Sequence, residues 1–200
     1  MKKLILSLYL LSLLLIGCNQ ETKPIIYVAL QNNSPENAVL SEDFLYKLAR
    51  RAKRQFFVID QLKQDQVHNI YSNPANRRSI QQIEIDPNPN TKNIEFTPSN
   101  DQALIQAFQR INDLTDRATE QPLYVYILTP GTTDITTLNQ IKYLCEKIAQ
   151  KPNSNNVHIH LIGLNPHNRV PTSTALSPVK ANAKSAGIAY EEWNQFLRAI

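Results

Sequence analysis

Three short runs constrain this chain more than anything else in it. They are Ile25-Ile26-Tyr27-Val28-Ala29-Leu30, Leu123-Tyr124-Val125-Tyr126-Ile127-Leu128 and Val157-His158-Ile159-His160-Leu161-Ile162. Each is apolar at nearly every position, without strict alternation. A strand with one wet face alternates, whereas a strand covered on both faces does not. The runs therefore read as buried strands of a parallel sheet. Phe56-Phe57-Val58-Ile59 is a further strand candidate. Ile80 to Ile85 is another, and its alternation (Ile83 and Ile85 against Glu84) marks it as an edge strand.

Helical patterns lie between these runs. Ser41 can cap a helix reaching Arg54, with Leu45, Leu48, Ala49 and Ala52 on one face. Ser99-Asn100-Asp101-Gln102 reads as a capping box, after which Ala103, Leu104, Ala107, Phe108, Ile111, Leu114 and Ala118 keep helical spacing. Asp134 can cap a third helix whose inward face is Ile135, Leu138, Ile141, Cys145 and Ile148. Ser177-Pro178 opens a fourth, which Gly187 closes, and Trp193, Phe196, Leu197 and Ile200 stripe a last one. Strands alternating with helices predict an α/β fold: a doubly wound, mostly parallel sheet with helices on both faces. Two polar stretches rich in Asn, Pro and Arg, Gln64 to Ser79 and Asp86 to Ser99, read as long loops.

Composition closes off several functions. Only Gly131, Gly163 and Gly187 lie beyond residue 17, too few and too scattered for a phosphate-cradling loop. No G-x-S-x-G elbow occurs, and no spacing of Ser, His and Asp picks out a triad. His158 and His160 share a strand face, but zinc needs at least a third ligand, and no carboxylate adjoins them. Cys145 keeps helical register with apolar neighbours and reads as a small buried hydrophobe. The dense basic run Arg50-Arg51-Ala52-Lys53-Arg54 reads mainly as a solvated helix face, with contact to anionic headgroups as its functional alternative.

The amino terminus carries an address. Met1-Lys2-Lys3 is basic, Leu4 to Ile16 is almost unbroken apolar sequence, and Leu15-Ile16-Gly17-Cys18 closes it. This is the layout of an export signal, and its 13 apolar residues fall short of the ~20 that cross a bilayer. The ending resembles the lipobox of bacterial lipoproteins. The resemblance implies cleavage before Cys18 and lipidation of that residue, leaving one domain at residues 25–200 on a tether at 18–24. Without Lys2 and Lys3 the formal charge falls from +4 to +2, so a basic pI is no argument for nucleic acid. Residues 19–24 span at most ~20 Å, which keeps the domain close to its membrane. Asn19 stands where an aspartate often retains such lipoproteins at the inner membrane of two-membrane bacteria, which leans the expectation to the outer one.

The order of elements is similar to a von Willebrand factor A domain. The likeness is carried by the helix from Ala103, by Leu123 to Leu128 followed by Thr129-Pro130-Gly131, by the next helix, and by Val157 to Ile162 followed by Gly163-Leu164. Ser185-Ala186-Gly187-Ile188-Ala189-Tyr190 resembles the segment that often follows. The family holds a divalent metal with Asp-x-Ser-x-Ser after the first strand, a loop threonine, and the aspartate of Thr-Asp-Gly after the fourth. Here the first of these reads Leu30-Gln31-Asn32-Asn33-Ser34, and Pro130 replaces the second aspartate. Ser34 and Thr129 match hydroxyl positions, and Thr97 or Ser99 can stand for the loop threonine. With both carboxylates missing, no metal is expected, since hard cations need that charged oxygen set. The rim of strand ends instead offers Asn32, Asn33, Ser34, Ser99, Thr129, Thr132 and Asp134, the last mainly as a helix cap. The resemblance implies a non-enzymatic, cofactor-free envelope protein that binds another protein through this rim. A small-ligand receptor or hydrolase on the same rim, and a purely structural lipoprotein, remain as alternatives.

Overall fold

The computed structural model describes residues 24–31, 41, 44–48, 50, 55–63, 66–74, 101–117, 121–180 and 184–188. They form one six-stranded sheet in the order β3-β2-β1-β4-β5-β6. The strands are β1 Ile25–Leu30, β2 Phe56–Lys63, β3 Gln66–Pro74, β4 Leu123–Leu128, β5 Val157–Ile162 and β6 Lys184–Ile188. The helices are α1 through residues 44–48, α2 Asp101–Arg117, α3 Ile135–Ala149, α4 Pro166–Ala175 and α5 Ser177–Lys180. All neighbouring strands are parallel except β2 and β3. Only two residues separate β2 from β3, and a parallel crossover needs a dozen or more, so these two must turn back as a hairpin.

Two apolar layers sandwich the sheet. On one face Tyr27, Ala29, Val58, Val125, Ile127, Ile159 and Leu161 meet Leu104, Phe108 and Ile111 of α2, and Ile141, Cys145 and Ile148 of α3. On the other, Ile26, Val28, Leu30, Phe57, Ile59 and Tyr126 meet Phe44, Leu45 and Leu48 of α1. The central strands are thus buried from both sides, which is why their sequences do not alternate. Burial, and secondarily the charge of Glu146, pushes the Cys145 thiol up to about 12, so it stays a protonated apolar filler.

Three expectations change. Gln66–Pro74, within a stretch that reads as loop, is strand β3. An edge strand buries little, and among the described side chains of β3 Val67, Ile70 and Tyr71 pack against the two layers. The helix opened by Ser177-Pro178 stops at Lys180, and Lys184–Ile188 is strand β6, parallel to β5. Gly187 therefore lies in a strand instead of closing a helix. Ile135, assigned to the buried stripe of α3, is 73% exposed. The strand expected at Ile80 to Ile85, the last helix around Trp193, Cys18 and the segment before it all lie outside the described residues.

Candidate functional site

In an open parallel sheet the crevice opens beyond the carboxyl ends of the strands where the chain order reverses. Here that point lies between β1 and β4. The strand backbones run past it: Gln31 N–H donates to Leu128 O and Thr129 N–H to Ile162 O, both at 2.9 Å. Across the crevice the Thr129 hydroxyl donates to Gln31 Oε1 at 2.5 Å and accepts from Gly131 N–H at 3.0 Å. Gln31 is 2% exposed and Thr129 fully buried. A neutral side-chain bridge therefore closes the switch point and uses both faces of the hydroxyl.

The loop from Thr129 to Asp134 is fixed from three sides. Gly131 has φ 76°, and a Cβ there would lie 2.8 Å from Thr172 Oγ1 and 2.9 Å from Leu164 Cδ2, so only glycine fits. Asn168 Nδ2 donates to Pro130 O and Gly131 O at 3.1 Å, and Thr172 exchanges hydrogen bonds with the Thr132 backbone. Thr132 Oγ1 donates to Asp101 Oδ2 and accepts from Asp134 N–H, each at 3.0 Å. Asp134 in turn caps α3, accepting from Thr137 N–H at 2.7 Å. That backbone donor holds its carboxyl below the usual carboxylate range.

Of the residues singled out from sequence, Thr129, Thr132 and Asp134 come together on this loop. Asn32, Asn33, Ser34, Thr97 and Ser99 lie outside the described residues. Thr129 is a buried bridge instead of an exposed donor. Gln31, Asp101, Asn168 and Thr172 were not singled out as site residues. Gln31 ends an apolar run and Asp101 stands in the capping box, but only the fold brings Asn168 and Thr172 to the loop.

The described donors do not suit a hard divalent cation. Pro130 offers no side-chain ligand, Thr129 is committed to Gln31, and Asp101 and Asp134 are each engaged within the loop. No cluster of three or more His, Cys, Asp or Glu is placed to hold a metal among the described residues. His158 and His160 do share a face, but each lies flat on a tyrosine of β4. His158 stacks on Tyr124 at 4.7 Å and His160 on Tyr126 at 5.4 Å. Burial first, and the neighbouring His158 second, lower His160 to about 4, so it is neutral at physiological pH.

Among the described residues around this loop Thr133, Asp134, Thr136, Asn165, His167 and Arg169 are exposed, and two large apolar side chains stand among them. Ile135 opens α3 directly after Asp134 and is 73% exposed, and Val170 of α4 is 72% exposed. Asn168 and Thr172 face the loop from α4, so Ile135 is the apolar side chain beside it, and Val170, two residues from each, lies round the helix.

No protein-family model matches the sequence, and no curated protein is similar to it. Solved structures do resemble it. An aerotolerance-related membrane protein from Bacteroides fragilis NCTC 9343, solved with multiple mutations to serines, superposes with a TM-score of 0.53 at 9% identity. The match covers 90% of this chain and 100% of that one. The N-terminal domain of TFIIH p34 gives 0.50 at 12% identity, over 88% and 96%. At such identities the likeness concerns the fold alone, which is of the von Willebrand factor A type.

Proposed function

We propose that this chain is a lipid-anchored envelope protein whose von Willebrand factor A-like domain binds another protein, without metal, through its carboxyl-end rim. One observation supports the reading: the described polar side chains Gln31, Thr129, Thr132 and Asp101 bond to one another at the loop, while Ile135, next to Asp134, stands 73% exposed to solvent. A rim built for a cation or a phosphate keeps charged donors open, whereas a protein interface centres on desolvated apolar contacts within a polar surround. The anchor rests on the sequence Leu15-Ile16-Gly17-Cys18 behind its apolar core. Among the described residues no helix is long and apolar enough to cross a membrane.

The test is crosslinking capture from intact envelope, comparing the unaltered chain with an Ile135→Asp variant. A partner captured by the first and lost from the second, in magnesium or in chelator alike, supports the reading. A partner held equally by both contradicts it. Thr129→Ala is unsuitable, because a buried bridging hydroxyl reports on loop stability and not on contact. In the same preparation Cys18→Ala is expected to abolish maturation and lipid attachment, and unchanged membrane attachment would remove the anchor from the proposal.

A further inference from the structure

A divalent cation between the ends of β1 and β4 would tie the two strands together through charged oxygens drawn from both. The crevice contains a tie of another kind. Gln31, the first residue beyond β1, reaches across the switch point, and its Oε1 accepts from the Thr129 hydroxyl at 2.5 Å. Gln31 is 2% exposed and Thr129 fully buried, so water does not compete for the bond. Leu30, one residue earlier, turns the other way, into the layer under α1. Neither member of the bridge carries a charge. The oxygen that faces Thr129 belongs to an amide, which neutralises none of the charge of a divalent ion. The next side chain after Thr129 is Pro130, which has no oxygen to offer.

The bridge is one link in a connected set of bonds around the loop. Thr129 Oγ1 accepts from Gly131 N–H at 3.0 Å, and Gly131 is pressed against Thr172 and Leu164. Thr172 Oγ1 donates to Thr132 O at 3.1 Å. Thr132 Oγ1 then links Asp101, the first residue of α2, to the Asp134 amide just before α3. β1, β4, α2, α3 and α4 are thus fixed to the loop that leads into Ile135. A cation holds such a loop only while it is bound, so its contribution rises and falls with its concentration. A glutamine belongs to the chain, and its tie is present at every cation concentration.

We infer that the Gln31–Thr129 bridge stands in the place of a cation at the switch point and holds the rim permanently in one conformation. The rim is therefore always set for contact, and divalent ions do not switch it. The inference deepens the rim reading proposed above by adding how that surface is regulated. It rests on that reading only for its consequence, because the clamp itself is tested without a partner.

The experiment is amide hydrogen exchange on the full chain, read at Thr132 and Asp134, whose N–H groups donate to the Thr172 and Thr132 hydroxyls and not to the bridge. In the unaltered chain both rates are expected to be the same in magnesium, in calcium and in chelator. Gln31→Leu, which removes the acceptor, should quicken both about tenfold, the effect of losing one buried hydrogen bond. A double variant supplies the charged oxygens: Gln31→Glu keeps the length of the side chain, and Pro130→Asp adds a second carboxylate beside Thr129. In chelator its loop amides should exchange faster than in the unaltered chain, because a buried carboxylate then has another adjoining it. Magnesium should return them, saturably, toward the unaltered rate. Gln31→Glu alone should respond in the same direction, more weakly. Slowing of the unaltered loop by magnesium, a loop indifferent to Gln31→Leu, or carboxylate variants indifferent to magnesium would each overturn the inference. Partner capture at Ile135 is scored apart from exchange. A clamp that behaves as expected with no partner captured removes the rim reading alone, and a partner captured by a chain whose loop ignores Gln31→Leu removes the clamp alone.

Discussion

Thr129 is the residue on which the rim depends. Its hydroxyl bridges two strands and receives a loop amide, so Thr129→Val leaves Gln31 Oε1 buried without its donor. The loss expected is about 1–3 kcal/mol of folding stability, read by urea unfolding, with Thr129→Ser losing much less. An unchanged midpoint for the valine variant would show that the bridge carries no stability. Asp134 sets a pH dependence. Its carboxyl is lowered by the Thr137 amide, so the folded state favours the charged form. Its stabilising contribution is complete above the unfolded carboxylate value and is lost as pH falls through the lower folded value. Asp134→Asn still caps α3 but does not titrate. The unaltered chain should exceed it in melting temperature at neutral pH, with the gap closing in acid. A gap independent of pH would contradict the assignment.

At the scale of elements, the hairpin is the informative part. β3 is an edge strand, and it is locked down through a buried charge. Asp60, fully buried at the register shift between Ile59 and Asp60, accepts from Asn69 Nδ2 at 2.7 Å and pairs with Arg110 Nε of α2 at 3.4 Å. Tyr27 lies beside it, its hydroxyl raised well above the usual range first by burial and then by the Asp60 charge. Arg110 is 43% exposed, so solvent already screens much of the pair. Arg110→Ala should still cost about 1–3 kcal/mol, because it leaves a buried carboxylate with a single neutral donor. Amide exchange in β3 should quicken more than in β4. Equal protection in both strands would mean that the pair does not anchor the hairpin. None of this was legible in the sequence. Gln66 to Pro74 is polar because an edge strand faces water, and polarity there reads as loop. The central strands were legible, because burial on both faces leaves only apolar choices. β6 was missed because Lys184 to Ile188 is short and holds a glycine, and Ile135 because an exposed isoleucine in register looks like core.

For the whole molecule, the work proposed for it falls at one end of the sheet. The carboxyl end carries a loop closed upon itself with an exposed isoleucine beside it. Parallel strands gather their following loops there, since every described strand but β3 finishes at that end. A mostly parallel sheet was legible in the apolar runs, but the order 3-2-1-4-5-6 was not, because β3 read as loop and β6 as the end of a helix. The rim's location was legible through the switch-point rule. Its chemistry was not, because Asn168 and Thr172 reach the loop only through the packing of α4.

The most direct measurement places a photo-crosslinking side chain at Ile135, and in a separate preparation at Tyr143, which is 56% exposed further along α3. Both are irradiated in intact envelope with and without a metal chelator. The rim-binding account predicts one protein adduct at 135 that chelator does not diminish and that is absent at 143. No adduct at 135, the same adduct at both positions, or loss of the adduct in chelator would contradict it.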